Sequence, residues 1–139
     1  MISATQRENV FPARIDTLRE VRGFIESFCG VAEISHEPSL RLNLVVEELF
    51  TNTIKHGHRG DCDCLVWIAL EAQGEHVTLT YLDQAPPFNP FGMMGTHLDG
   101  GVEQRKIGGL GLLLAKELSV TSEYARLFGR NRLRMALAR

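Results

Sequence analysis

Glu48 and Asn52 stand four residues apart in the stretch Leu44-Val45-Val46-Glu47-Glu48-Leu49-Phe50-Thr51-Asn52-Thr53-Ile54-Lys55-His56-Gly57. In a helix a four-residue step changes direction by only about 40°, so this carboxylate and carboxamide share one face, with Lys55 and His56 close to the same line. A carboxylate so placed can orient a hydroxyl and accept its proton. A carboxamide oxygen can ligate a hard cation such as Mg²⁺, which takes oxygen ligands and keeps most of its waters. Glu47 lies about 100° round the helix and is the weaker candidate for that role. Asp83 closes the run Tyr81-Leu82-Asp83 and leads into Gln84-Ala85-Pro86-Pro87-Phe88-Asn89-Pro90. An acid fixed at a strand end can accept a hydrogen bond from an exocyclic amine such as that of adenine, or can satisfy the amides of its own turn. Gly108-Gly109-Leu110-Gly111 opens a helical stretch. Glycines there let the backbone approach a ligand, and the amides of a helix start favour an anion such as phosphate; the same glycines also serve as plain punctuation. Arg105 and Lys106, just ahead of them, could face a phosphate or lie solvated.

The elements that must position these groups follow from periodicity. Leu42, Val46, Leu49, Phe50 and Ile54 gather on the arc opposite Glu48 and Asn52, so the helix is amphipathic and taken alone reads as a surface helix. It should start near Glu37-Pro38-Ser39 and end at Gly57, with proline in the first turn and glycine past the last. Ile15, Leu18, Val21, Phe24, Ile25 and Phe28 predict an earlier helix over about residues 13–30, after a short extended segment near Asn9-Val10-Phe11. Cys64–Leu70 and His76–Leu82 read as a hairpin turned at Ala72-Gln73-Gly74-Glu75. Residues 84–108 carry no sustained period and read as a long functional loop. A third helix is expected from about Leu110 to Leu118. Two closing strands, Val120–Leu127 and Arg132–Ala138, turn at Gly129-Arg130-Asn131.

Composition sets the outer limits. The chain has 139 residues, 44% of them hydrophobic and 23% charged, which fits one compact domain spanning 1–139. Fifteen Lys and Arg stand against 17 Asp and Glu. That balance gives no positive field of the kind nucleic-acid binders use, so no direct nucleic-acid partner is expected. The apolar runs are short and Met1–Glu8 shows no signal-peptide hydrophobic region, so the expectation is a soluble, cytoplasmic protein with no membrane partner. Cys29, Cys62 and Cys64 make no plausible disulfide framework, being odd in number with two placed close together, and a reducing compartment fits. His56, His58, Cys62 and Cys64 invite a metal reading, but their spacing matches no common zinc pattern, and cysteines entering a strand are usually small packing residues. Neither a Lys-Ser/Thr phosphate loop nor a dinucleotide fingerprint is present, so a nucleotide site would be of another design.

Glu48-x-x-x-Asn52, then Asp83 with Ala85-Pro86-Pro87-Phe88, then Gly108-Gly109-Leu110-Gly111 at a helix start, resembles in its order the GHKL ATPase superfamily over about residues 9–138. Within it, the short form and the Asp-x-x-Pro-Pro-Phe turn are most similar to the anti-sigma-factor serine kinases of bacterial partner switching. The resemblance implies an α+β fold, a two-layer sandwich with a mixed, mostly antiparallel sheet and three helices on one face. It also implies ATP and Mg²⁺ as cofactors. By it, Glu48 would be the general base, Asn52 would coordinate Mg²⁺ on the phosphates, and Asp83, with Ala85 in its turn, would recognise adenine. Gly108, Gly109, Leu110 and Gly111 would lie against the phosphates, with Arg105 and Lys106 beside them. The implied partners are a sigma factor, a serine-bearing antagonist protein and a second copy of the chain. A nucleotide-dependent binding switch without phosphotransfer, or a detached sensor-histidine-kinase-like ATPase domain, are the other functions the pattern allows. Two departures stand out: many relatives have glycine where Ala85 stands, and many have a threonine on the last strand near the adenine, where Asn131-Arg132-Leu133-Arg134 supplies none.

Overall fold

The computed structural model describes residues 5–89 and 119–139. In chain order these form β1 (Thr5–Pro12), a 3-10 turn (Ile15–Thr17), α1 (Leu18–Val31), α2 (His36–Asn52), a π-helical turn (Thr53–Gly57), β2 (Leu65–Gln73), β3 (His76–Asp83), β4 (Ser119–Leu127) and β5 (Arg130–Ala138). The strands make one sheet in the order β1-β2-β3-β5-β4, and every pairing is antiparallel. The expected mixed sheet is thereby corrected among the described residues. Among the described residues, two helices, α1 and α2, cover one face of the sheet. The expected third helix over 110–118, and the loop beyond Asn89, lie outside the described residues.

Alternation sets which face is covered. Val66, Ile68, Leu70 and Ala72 of β2, Val77, Leu79 and Tyr81 of β3, and Leu133, Met135 and Leu137 of β5 are buried under the helices. From the helix side, α1 contributes Val21, Ile25, Phe28 and Cys29, and α2 contributes Leu42, Val45, Val46, Leu49 and Phe50. Each of these larger side chains contributes about 1.5–3 kcal/mol when fully removed from water, so the stripe on α2 fixes which way its polar face must look. Ile15 departs from the predicted periodicity: it sits in the 3-10 turn ahead of α1 and is half exposed. There the carboxylate of Asp61 accepts the backbone N–H of Ile15 at 2.8 Å, tying the start of the helical segment to the loop before β2. The extended segment expected near Asn9 is a full eight-residue edge strand, in register with β2 from Thr5↔Ala72 to Pro12↔Leu65.

The closing hairpin turns one step earlier than predicted, at Phe128 and Gly129, whose φ angles of 52° and 75° are the pair a tight two-residue turn demands. One expectation about the cysteines is overturned. Cys62 and Cys64 are bonded to each other, because the bend before β2 brings their Cα atoms to 5.1 Å, while Cys29 remains a free, buried thiol. No helix among the described residues is long and apolar enough to cross a membrane.

Candidate functional site

The site sits where α2 ends above the carboxyl end of β3. The helix passes into a widened turn over Thr53–Gly57, closed by the five-residue-back bond from His58 N–H to the Thr53 carbonyl at 2.9 Å. Such insertions recur at functional positions because they change the direction of side chains on a continuing helix. Asn52 is the last residue before the widening. It is buried, lines the cleft, and its Nδ2 has no hydrogen-bond partner among the described residues. Lys55 and His56, expected on the same line, are exposed on the widened turn.

Asp83 faces Asn52's helix from below and is held on three sides. Its Oδ1 accepts the Ala85 N–H at 3.1 Å and the Asn131 Nδ2–H at 2.8 Å. Its Oδ2 accepts from the Thr53 hydroxyl at 2.9 Å. Thr53 Oγ1 also meets Tyr81 OH at 2.6 Å and the Leu49 carbonyl at 3.0 Å. Thr53 has one hydrogen to give, so when it donates to Asp83 or Leu49 the tyrosine must donate to it. Burial, the charge of Asp83 and, in opposition, the bond from Thr53 together push Tyr81 well above the ordinary phenol value, which keeps it a neutral donor. A carboxylate offers about four acceptor positions, and three are taken. Among the described residues, one position of Asp83 is left for a ligand.

Asn131 lies directly opposite Asp83 in the β3–β5 register. Its Nδ2 donates to Asp83 and to the carbonyls of Ala85 at 3.2 Å and Pro86 at 2.9 Å, while its Oδ1 accepts from Phe88 N–H at 3.2 Å and Tyr124 OH at 2.5 Å. With three acceptors around one end and a backbone N–H at the other, the amide can point only one way. Arg126 of β4 adds a bond to the Ala85 carbonyl at 2.7 Å. Leu49, Asn52, Thr53, Gly57, Ala85 and Asn131 are among the residues around a cleft of about 330 Å³, its open mouth included.

The family model for the histidine kinase-like ATPase domain matches residues 11–137. The chain belongs to that family. No curated protein matches the chain. As a histidine kinase-like ATPase domain it binds ATP, and the described end of the cleft fits such a ligand: among the described residues the buried Nδ2 of Asn52 on α2 has no hydrogen-bond partner, and a buried carboxylate on β3 keeps one acceptor position open. An unpartnered buried polar group costs about 1–3 kcal/mol, which a polar ligand would relieve.

The structure brings Asn52, Asp83 and Ala85 of this ATPase domain together. The room for the methyl of Ala85 comes from the facing turn. A Cβ built on Gly57 would lie 2.8 Å from the Ala85 Cβ, closer than two methyl carbons can sit, so the bare glycine of the turn accommodates the alanine of the loop. The two neighbouring acids have separate fates. Glu47 is held by Arg22 of α1, through Nη2 at 2.5 Å and Nε at 3.3 Å. Glu48 is half-buried, its carboxylate makes no hydrogen bond among the described residues, and it lies one turn before Asn52 without lining the described part of the cleft. Burial first, then the charge of Glu47, raise its pKa above the usual glutamate value, and Lys55 partly opposes them. Arg105, Lys106, Gly108, Gly109, Leu110 and Gly111 lie outside the described residues. Sequence reasoning missed Thr53, Tyr81, Gly57 and the tethering role of Asn131. The one available signal was alternation, since Tyr81 stands two positions before Asp83 and so shares its face of β3.

Proposed function

We propose that this domain is an ATP-dependent protein serine kinase and anti-sigma factor, which sequesters a sigma factor and phosphorylates a serine of an antagonist protein. The observation that carries the reading is the division of labour between the two acids: Glu47 is committed to Arg22, whereas Glu48 makes no side-chain hydrogen bond among the described residues and is half-buried and raised in pKa beside Asn52. Bound Mg²⁺ and ATP would supply the phosphoryl group and neutralise its charge. Asn52 would hold the cation, Asp83 would accept the adenine amine from its position beside Ala85, and the backbone of Gly108–Gly111 would lie along the phosphates with Arg105 and Lys106 near them. Glu48 would orient the incoming serine hydroxyl and accept its proton, a task that a histidine nucleophile would need less. The active species is proposed to be a homodimer in the cytoplasm.

That Glu48 does not line the described part of the cleft supports a second reading, a nucleotide-dependent binding switch that holds its partner without transfer. The two separate in one experiment. The protein is used to capture partners from its native cytosol with and without ATP, and the captured proteins are then incubated with γ-labelled ATP and Mg²⁺. Acid-stable label on a serine of a small partner supports the kinase. Capture that depends on ATP with no label on any hydroxyl overturns the kinase in favour of the switch, and acid-labile label on a histidine overturns both.

A further inference from the structure

The loop that joins the widened turn to β2 gathers three groups that the nucleotide cleft does not use. A ring nitrogen of His58 and the Sγ atoms of Cys62 and Cys64 all lie within 4.8 Å of one another. The Nε2 of His58 is buried and has no hydrogen-bond partner among the described residues. The backbone N–H of Cys64 donates to the sulfur of Cys62 at 3.1 Å. The frame around these groups is well tied. Cys62 N–H donates to the Ala13 carbonyl and Ala13 N–H to the Cys64 carbonyl, both at 2.9 Å. Gly60 N–H donates to the Ile54 carbonyl at 2.8 Å. The acids of the loop are occupied elsewhere, Asp61 with Ile15 N–H and Asp63 with Arg14 at 3.3 Å.

We propose that His58, Cys62 and Cys64 form a second ligand site, which takes a zinc-class divalent cation through the imidazole Nε2 and two thiolate sulfurs when the Cys62–Cys64 bond is reduced. Ligand atoms around tetrahedral zinc stand about 3.5–4 Å apart, so small rotations of the cysteine side chains suffice once the bond is open. Two thiolates and one imidazole suit a borderline-soft cation, neutralise its charge, and leave one coordination position to solvent. Reduction takes two electrons from an external dithiol, whose sulfurs become a disulfide as its two protons pass to Cys62 and Cys64. Cation binding then releases those two protons to solvent. The bonded pair and the loaded site are mutually exclusive, so the loop has an oxidised form and a metal form. His58 directly follows Gly57, so the metal form would pin the floor of the nucleotide cleft to the segment around Ala13.

The test uses the full chain, reduced with a dithiol, desalted without oxygen and titrated with Co²⁺ in the absence of nucleotide. The expected result is a sulfur-to-cobalt charge-transfer band that saturates at one equivalent, disappears on adding Zn²⁺, and is absent from the oxidised protein. Cys62→Ser and Cys64→Ser should each lose the band, His58→Asn should bind more weakly in competition with a chelating dye, and Cys29→Ser should behave as wild type. A second measurement needs no variant: Zn²⁺ should protect Cys62 and Cys64 of the reduced wild type from alkylation, read by peptide mass. No band in the reduced wild type, a band that survives loss of both cysteines, or equal alkylation with and without Zn²⁺ would each overturn the proposal. None of these readouts depends on phosphotransfer.

Discussion

Replacing Asn131 by aspartate keeps the shape of the side chain and inverts its chemistry. In the structure Nδ2 donates to Asp83 at 2.8 Å, so Asn131→Asp sets a second carboxylate oxygen against the first at that separation. Two full charges so placed repel by about 6 kcal/mol at an effective dielectric of about 20. Keeping a proton on one of the pair at pH 7 costs less, about 4 kcal/mol for a carboxyl with an ordinary pKa near 3.9. The variant should therefore fold with one shared proton. The sign follows directly: the folded pair then binds a proton that the unfolded chain has released, so stability is highest at low pH and is lost as pH rises. The penalty relative to wild type should grow by about 1.4 kcal/mol per pH unit, making it about 3 kcal/mol larger at pH 7 than at pH 5. Urea unfolding followed by circular dichroism across that range measures it. A penalty that does not change with pH, or one below about 1 kcal/mol at pH 7, would refute the arrangement of Asp83 and Asn131 described above.

Glu48→Gln should retain ATP affinity by calorimetry while transfer to a captured partner falls by about 10²–10⁴. In the wild type, protonation of Glu48 should abolish transfer as pH falls through a value above that of an ordinary glutamate, an acid limb that the glutamine variant lacks. Asn52→Ala should lose Mg²⁺-dependent nucleotide binding at a stability cost below about 1 kcal/mol, because the Nδ2 it removes has no hydrogen-bond partner among the described residues; a large stability loss would mark Asn52 as structural. Gly57→Ala should cost about 1–3 kcal/mol through collision with Ala85, and the double variant Gly57→Ala/Ala85→Gly should recover most of it in thermal melts.

What the sequence made legible is what short-range pattern can carry. The apolar stripe of α2, the alternation in β2 and β3, and the acid at a strand end each lie within one element, and each is where it was expected. β1 was under-read because five of its residues are exposed on an edge strand, so no alternation marks it and only backbone pairing to β2 defines it. The tethering of Asp83 was out of reach for a different reason: its partners Thr53 and Asn131 are 30 and 48 positions away, and only the packing of the widened turn over the sheet and the pairing of β3 with β5 make them neighbours. The cysteine pairing was missed, and the grouping of His58 with Cys62 and Cys64 could be raised but not upheld from the sequence, because both depend on how one loop bends, which composition does not encode.

The insertion of β5 between β3 and β4 has a consequence for how the protein comes into being. Asp83 leaves the ribosome before Asn131, and at about 5–20 residues per second the interval over those 48 positions is about 2–10 s. During that time the carboxylate can have neither its cross-strand amide nor the closed sheet that buries it. Nucleotide capture by the growing chain should therefore switch on late and abruptly, so that bound ATP marks chains whose sheet has closed.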